Sequence, residues 1–114
     1  MRAVLKKPGK NPEVVDIENT LNGIRSAVGG YFQAVVFSEE ENIIMLCDEE
    51  GKLNGLDYNF SMRGKDSRII DDVVGNVLFV SAGDEDFREL NKKQIQYLMD
   101  CFRLRAEEWH FGKK

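Results

Sequence analysis

The stretch YFQAVVFSEEENIIMLCD, residues 31–48, decides the fold. Two runs rich in β-branched and aromatic residues, 31–38 and 42–48, flank the polar triplet Glu39-Glu40-Glu41. That pattern predicts an antiparallel hairpin turning at the glutamates. Both runs are almost continuously apolar, so the hairpin is expected to lie centrally in a sheet and to be covered, at least in part, on both faces.

Upstream, residues 2–6 read as a strand, and Pro8-Gly9-Lys10-Asn11-Pro12 reads as a turn in which proline fixes φ and glycine accepts a positive one. Residues 13–17 return as a second strand. Asn19 or Thr20 then caps a short helix whose apolar residues Leu21, Ile24, Ala27 and Val28 recur at helical spacing. Gly29-Gly30 ends it. Downstream, residues 49–72 form a long connection with a short turn of helix at 53–56. Residues 73–81 make a strand, with Gly75 marking a bulge.

The last element is a helix. Asn91 and Gln94 have the spacing of a capping box, and Leu90 and Ile95 that of a hydrophobic staple. Ile95, Leu98, Met99, Phe102, Ala106 and Trp109 form one apolar stripe, expected to lie across the sheet. The predicted fold is α+β. It has a single, mostly antiparallel sheet of about five strands (two hairpins and a further strand), with a short helix and a longer C-terminal helix packed on it. Residues 1–111 form one domain, and 112–114 are a frayed tail.

Hydrophobic content of 42% with 32% charged residues is ordinary globular composition. No apolar run approaches the roughly 20 residues of a membrane helix, and the N-terminus lacks a signal-peptide core, so a cytoplasmic protein is expected. Cys47 and Cys101 sit in apolar runs and read as structural thiols rather than as a disulfide or a nucleophile. A net charge of −4 argues against direct nucleic-acid binding. Acidic residues cluster at Glu39-Glu40-Glu41, Asp48-Glu49-Glu50 and Asp84-Glu85-Asp86. Solvated turns explain each of them. The sharper alternative is an acidic interaction surface made by Glu39, Glu40, Glu41, Asp84 and Glu85. Exposed strand edges, together with Trp109 and Phe111 at the chain end, point to a homodimer.

Most catalytic chemistry fails on inventory. The single histidine, His110, lies near the C-terminus, and a His/Cys metal site needs more of either residue. No glycine-rich turn leads into a Gly-Lys-Ser/Thr step, and the acidic turns lack the ligand spacing of a calcium loop. No metal, no cofactor and no catalytic residue is therefore expected. The polar set Lys52, Asn54, Tyr58, Asn59 and Arg63 is more suggestive. Cations, amides and an aromatic ring together suit a phosphate-bearing or planar ligand. The alternative is that Asn59 and Arg63 brace the loop backbone while Lys52 is solvated.

Several segments carry a family resemblance in their order and spacing: Pro8-Gly9-Lys10, Ala27-Val28-Gly29-Gly30-Tyr31, Glu49-Glu50-Gly51-Lys52-Leu53-Asn54-Gly55-Leu56, Asn59, Val74-Gly75-Asn76-Val77-Leu78-Phe79-Val80, Asp86-Phe87 and Leu90-Asn91. Nearly the whole chain to about Phe102 resembles domain-of-unknown-function family 3846. Members often carry prolines after the Gly-Leu pair, where Asp57-Tyr58 stand here. The resemblance implies a small protein of bacteriophages, plasmids and integrative elements, acting in the cytoplasm of a bacterial host. Such proteins often block host defence. The expected function is thus a non-catalytic inhibitor that binds a host defence protein through an acidic face or sequesters a signalling nucleotide at the loop. An interaction module in element maintenance is the alternative, and a small nucleotide-processing enzyme is disfavoured by the missing nucleophile–base set.

Overall fold

The computed structural model describes residues 1–63 and 68–103. The strands are β1 (Arg2–Lys6), β2 (Glu13–Asp16), β3 (Phe32–Ser38), β4 (Ile43–Asp48), β5 (Tyr58–Arg63), β6 (Ile69–Val74), β7 (Val77–Ala82) and β8 (Phe87–Arg88). The helices are α1 (Leu21–Val28) and α2 (Lys92–Arg103). The main sheet runs β2-β1-β7-β4-β3, with β8 paired to the end of β7, and β5 and β6 form a separate two-stranded sheet. All pairings are antiparallel. This is the expected α+β arrangement, enlarged by the second sheet.

Period-two alternation sorts the central strands between two cores. From β1, β4 and β7, the side chains of Val4, Ile43, Met45, Cys47, Val77 and Phe79 enter one core, closed by Phe60, Val73, Leu90, Leu98 and Phe102. The intervening Ala3, Leu5, Leu46, Leu78 and Val80 enter the other, beneath Ile24 and Val28 of α1. The sheet is thus a middle layer, with α1 on one face and α2 with the small sheet on the other. This explains the unbroken apolar character of β4 and β7. β3 departs from the expectation of a central hairpin. It is the terminal strand, and Ala34 and Val36 on one of its faces are exposed.

Local signals place both helices. Thr20, not Asn19, caps α1: its Oγ1 accepts from the Gly23 N–H at 3.0 Å. Gly29 follows the helix at φ 99°. At the start of α2, the Asn91 N–H donates to Gln94 Oε1 at 2.9 Å and the Gln94 N–H donates to Asn91 Oδ1 at 2.8 Å, a complete capping box. Leu98 and Phe102 of the predicted stripe are buried against the sheet. Ala106, Trp109, His110, Phe111 and the expected tail at 112–114 lie outside the described residues.

Residues 49–72 are not one long loop. They make two tight turns and then enter β5, which pairs with β6. Nor is Gly75 a bulge within one strand. At φ 74° it turns the chain between β6 and β7, and its N–H bonds the Asp57 carbonyl at 2.7 Å. Its positive φ favours glycine, and a Cβ there would also have to displace the end of the Leu56 side chain, whose Cδ1 it would meet at 2.7 Å.

Candidate functional site

The small sheet is fastened to the large one by a buried lysine. Val4 faces the α2-side core, so Lys6, two residues on, faces the same way. Its Nζ donates to Asn59 Oδ1 at 2.9 Å and to the Lys7 carbonyl at 2.9 Å, and lies 5.8 Å from the centre of the Phe102 ring. Asn59 Nδ2 in turn donates to the carbonyls of Lys6 at 2.9 Å and Gly75 at 2.7 Å. Both side chains are fully buried. The amide of Asn59 is therefore committed to the protein itself.

Burial lowers the Lys6 pKa from 10.5 to about 8, because removing an ammonium from water disfavours its charged form. Between those two values the unfolded chain holds a proton that the folded chain has released. Stability is therefore expected to be lower below about pH 8 and to rise as pH climbs toward 10.5. Urea unfolding across this window, compared with Lys6→Met, checks it. An identical pH slope in the variant would show that Lys6 does not contribute.

The other residues of the predicted ligand set are dispersed. Lys52 is exposed and forms an ion pair with Asp71, whose hydrogen bond raises the lysine pKa. Both line a cleft of about 120 Å³ beside Gln33 and the buried Cys47, too small for a nucleotide against the roughly 300–1,000 Å³ of ligand pockets. Tyr58 is half-buried and its hydroxyl lies 2.6 Å from Ser61 Oγ. Ser61 donates to Asp72 Oδ1 at 2.6 Å, which leaves Tyr58 as the donor of the first bond. The Arg63 side chain lies outside the described part of the structure.

Asn54 borders a wider groove of about 520 Å³ with Lys7, Lys10, Asp48, Asp57 and Asn76, over Val28, Leu56 and Gly75. Segments quoted for the family resemblance meet here: the Pro8 turn, the end of α1, the loop before β5 and the β6–β7 corner. Sequence reasoning missed Lys7, Lys10 and Asn76. The turn composition around Pro8 was the available signal.

The acidic turns are brought together. Ile43 pairs with Ser81, so the β3–β4 turn carrying Glu39, Glu40 and Glu41 abuts the β7–β8 turn carrying Asp84, Glu85 and Asp86. Asn42 Nδ2 donates to the Ala82 carbonyl at 3.0 Å. From α2, the buried Gln94 Nε2 lies 2.9 Å from the Glu41 carbonyl, 3.1 Å from that of Asn42 and 3.0 Å from Ser81 Oγ. One side chain thus ties the β3–β4 turn to the end of β7, just before the second acidic turn. Glu39, Glu40, Asp84 and Glu85 are exposed, and Asp86 Oδ1 is 3.7 Å from Arg88 Nε. Between the turns and the sheet lies a groove of about 320 Å³ lined by Ala34, Ile44, Ala82 and Phe87.

A family model described as a domain of unknown function (DUF3846) matches residues 1–103. The chain belongs to this family. No curated protein and no solved structure matches it. For this family member, no group of three or more His, Cys, Asp or Glu side chains among the described residues is placed to hold a metal ion. Ser61, though hydrogen-bonded to a carboxylate, is buried and closed to a substrate. Neither cysteine is in a disulfide. Burial raises the pKa of Cys47, which makes it a poor nucleophile. Among the described residues, no helix is long and apolar enough to cross a membrane.

Proposed function

We propose that this protein is a non-catalytic accessory protein of a phage or other mobile element, and that it inhibits host defence by docking a basic surface of a defence protein on its acidic end. The observation that carries this reading is the clasp by Gln94 and Asn42. It holds two acidic turns, distant in sequence, side by side on one rigid end of the sheet. Fixed, exposed charge of one sign steers a complementary partner and rejects others. The mobile-element setting implied by the family makes host defence the process to test first.

The test is capture of host proteins by the wild type and by Glu40→Lys/Glu85→Lys, with and without phage challenge. The double reversal is expected to abolish capture and biological effect at least tenfold, with stability changed by no more than about 1 kcal/mol because both sites are exposed. Full activity of the reversed variant would sink the proposal. A second reading rests on the groove bordered by Lys7, Lys10, Asn54 and Asn76, which is large enough to sequester a phosphate-bearing nucleotide. Mass spectrometry of small molecules released from the purified protein separates the two.

A further inference from the structure

We infer that the acidic end receives an extended segment of the partner in which branched apolar side chains alternate with lysine or arginine. This rests on the docking function proposed above and specifies its partner. The inference comes from the groove rather than from the carboxylates alone. Its floor is apolar: Ala34 and Ile44 come from β3 and β4, Ala82 from the end of β7 and Phe87 from the start of β8. Phe87 is held edge-to-face against Phe32 with ring centres 6.3 Å apart. Next to Ile44 across the β3–β4 pairing stands Val36, which is 50% exposed. The helix on this face, α1, buries Leu46, Leu78 and Val80 and leaves Ala34 and Val36 uncovered.

The rim has the opposite character. Asp84 and Glu85 line the groove itself, and Glu39 and Glu40 stand on the adjoining turn. An apolar floor inside an acidic rim complements apolar side chains flanked by cations. The same charge repels the phosphates of nucleic acid and anionic lipid headgroups. It also opposes a two-fold pairing of the chain with itself through this end, which would set carboxylates against carboxylates. An extended conformation fits because alternate residues of an extended chain point to one side, about 7 Å apart, so the apolar ones share the floor while the long cationic side chains between them reach the rim.

Three peptides test it by calorimetry on the intact protein: one alternating valine and lysine, one alternating serine and lysine, and one alternating valine and glutamate. The valine–lysine peptide is expected to bind and to weaken as salt rises. The serine–lysine peptide should bind about tenfold more weakly, and the valine–glutamate peptide not at all. Val36→Ser should weaken the first peptide severalfold while leaving the melting temperature unchanged, since its side chain is half exposed.

Equal binding of the serine–lysine peptide, or indifference to Val36→Ser, would overturn the groove but leave electrostatic docking intact. If no basic peptide binds and Glu40→Lys/Glu85→Lys still captures its host partner, both readings fall. If sedimentation shows that Val36→Ser converts a dimer to a monomer, the occupant is a second copy of this chain and the inference is wrong.

Discussion

Asn59→Ala is expected to destabilise the protein by about 2–4 kcal/mol, equivalent to roughly 8–16 °C in Tm for a domain of this size. The substitution removes a small side chain, but it takes one acceptor from the Lys6 ammonium, which keeps the Lys7 carbonyl, and the same amide donor from the carbonyls of Lys6 and Gly75. A buried donor or acceptor left unpaired costs about 1–3 kcal/mol, and a charged one more. Lys6→Met should cost less, because it removes the charge along with its need for a partner and keeps the stem that packs beside Phe102. Thermal and urea unfolding of both variants checks the order. If Asn59→Ala loses under about 1 kcal/mol, or Lys6→Met is the worse of the two, the Asn59 amide does not fasten the small sheet.

Phe102→Ala should cost about 3–5 kcal/mol, and a chain ending at Asn91 should not fold. Phe37 of β3, Phe60 of β5, Phe79 of β7 and Phe102 of α2 form one ring cluster. Phe102 lies 5.1 Å from Phe60, 5.8 Å from Phe79 and 6.3 Å from Phe37, centre to centre. Edge-to-face and stacked geometries each add about 0.5–1.5 kcal/mol beyond area burial. Truncation also removes Leu98 and Gln94, so the loss exceeds the roughly 5–15 kcal/mol margin of a small domain. A truncated chain that still melts cooperatively near the parent temperature would refute this account of the core.

These dependencies show which parts of the molecule are legible from sequence. Helix α2 was readable because its signals are local: Asn91 and Gln94 are three residues apart, and the stripe of Leu98 and Phe102 has its own period. The turn ending α1 was readable from Gly29 for the same reason. The β5–β6 hairpin was not, because its polar residues find their partners far away in the chain; Asn59 answers to Lys6. A faint signal was present in the alternation Tyr58, Phe60, Met62, which marks a strand with one apolar face. Lys6 could likewise have been placed by counting two from Val4. For β3, a continuous apolar run cannot distinguish a central strand from a terminal one, so the exposure of Val36 needed the sheet order.

Of the candidate sites, the acidic turns were visible as composition, but their meeting was not. It is set by the register of Ile43 opposite Ser81. Lys52 and Asn54 stand on the turns before β5 and border different clefts, and Tyr58 and Asn59 part on the strand itself. Neighbours along a strand alternate faces, so a polar run in the sequence need not be a polar patch in space.

The Gln94 clasp also imposes an order of events on synthesis. A growing chain emerges N-terminus first at roughly 5–20 residues per second, so both acidic turns leave the ribosome before the amide that locks them together. Until α2 winds, the Glu41 carbonyl and Ser81 Oγ lack that donor, and the meeting of the two turns rests on strand pairing and the Asn42–Ala82 bonds. A nascent or prematurely ended chain would therefore carry every carboxylate of the acidic end with one brace fewer on their spacing. If the acidic end docks a partner as proposed above, its full affinity awaits the last helix.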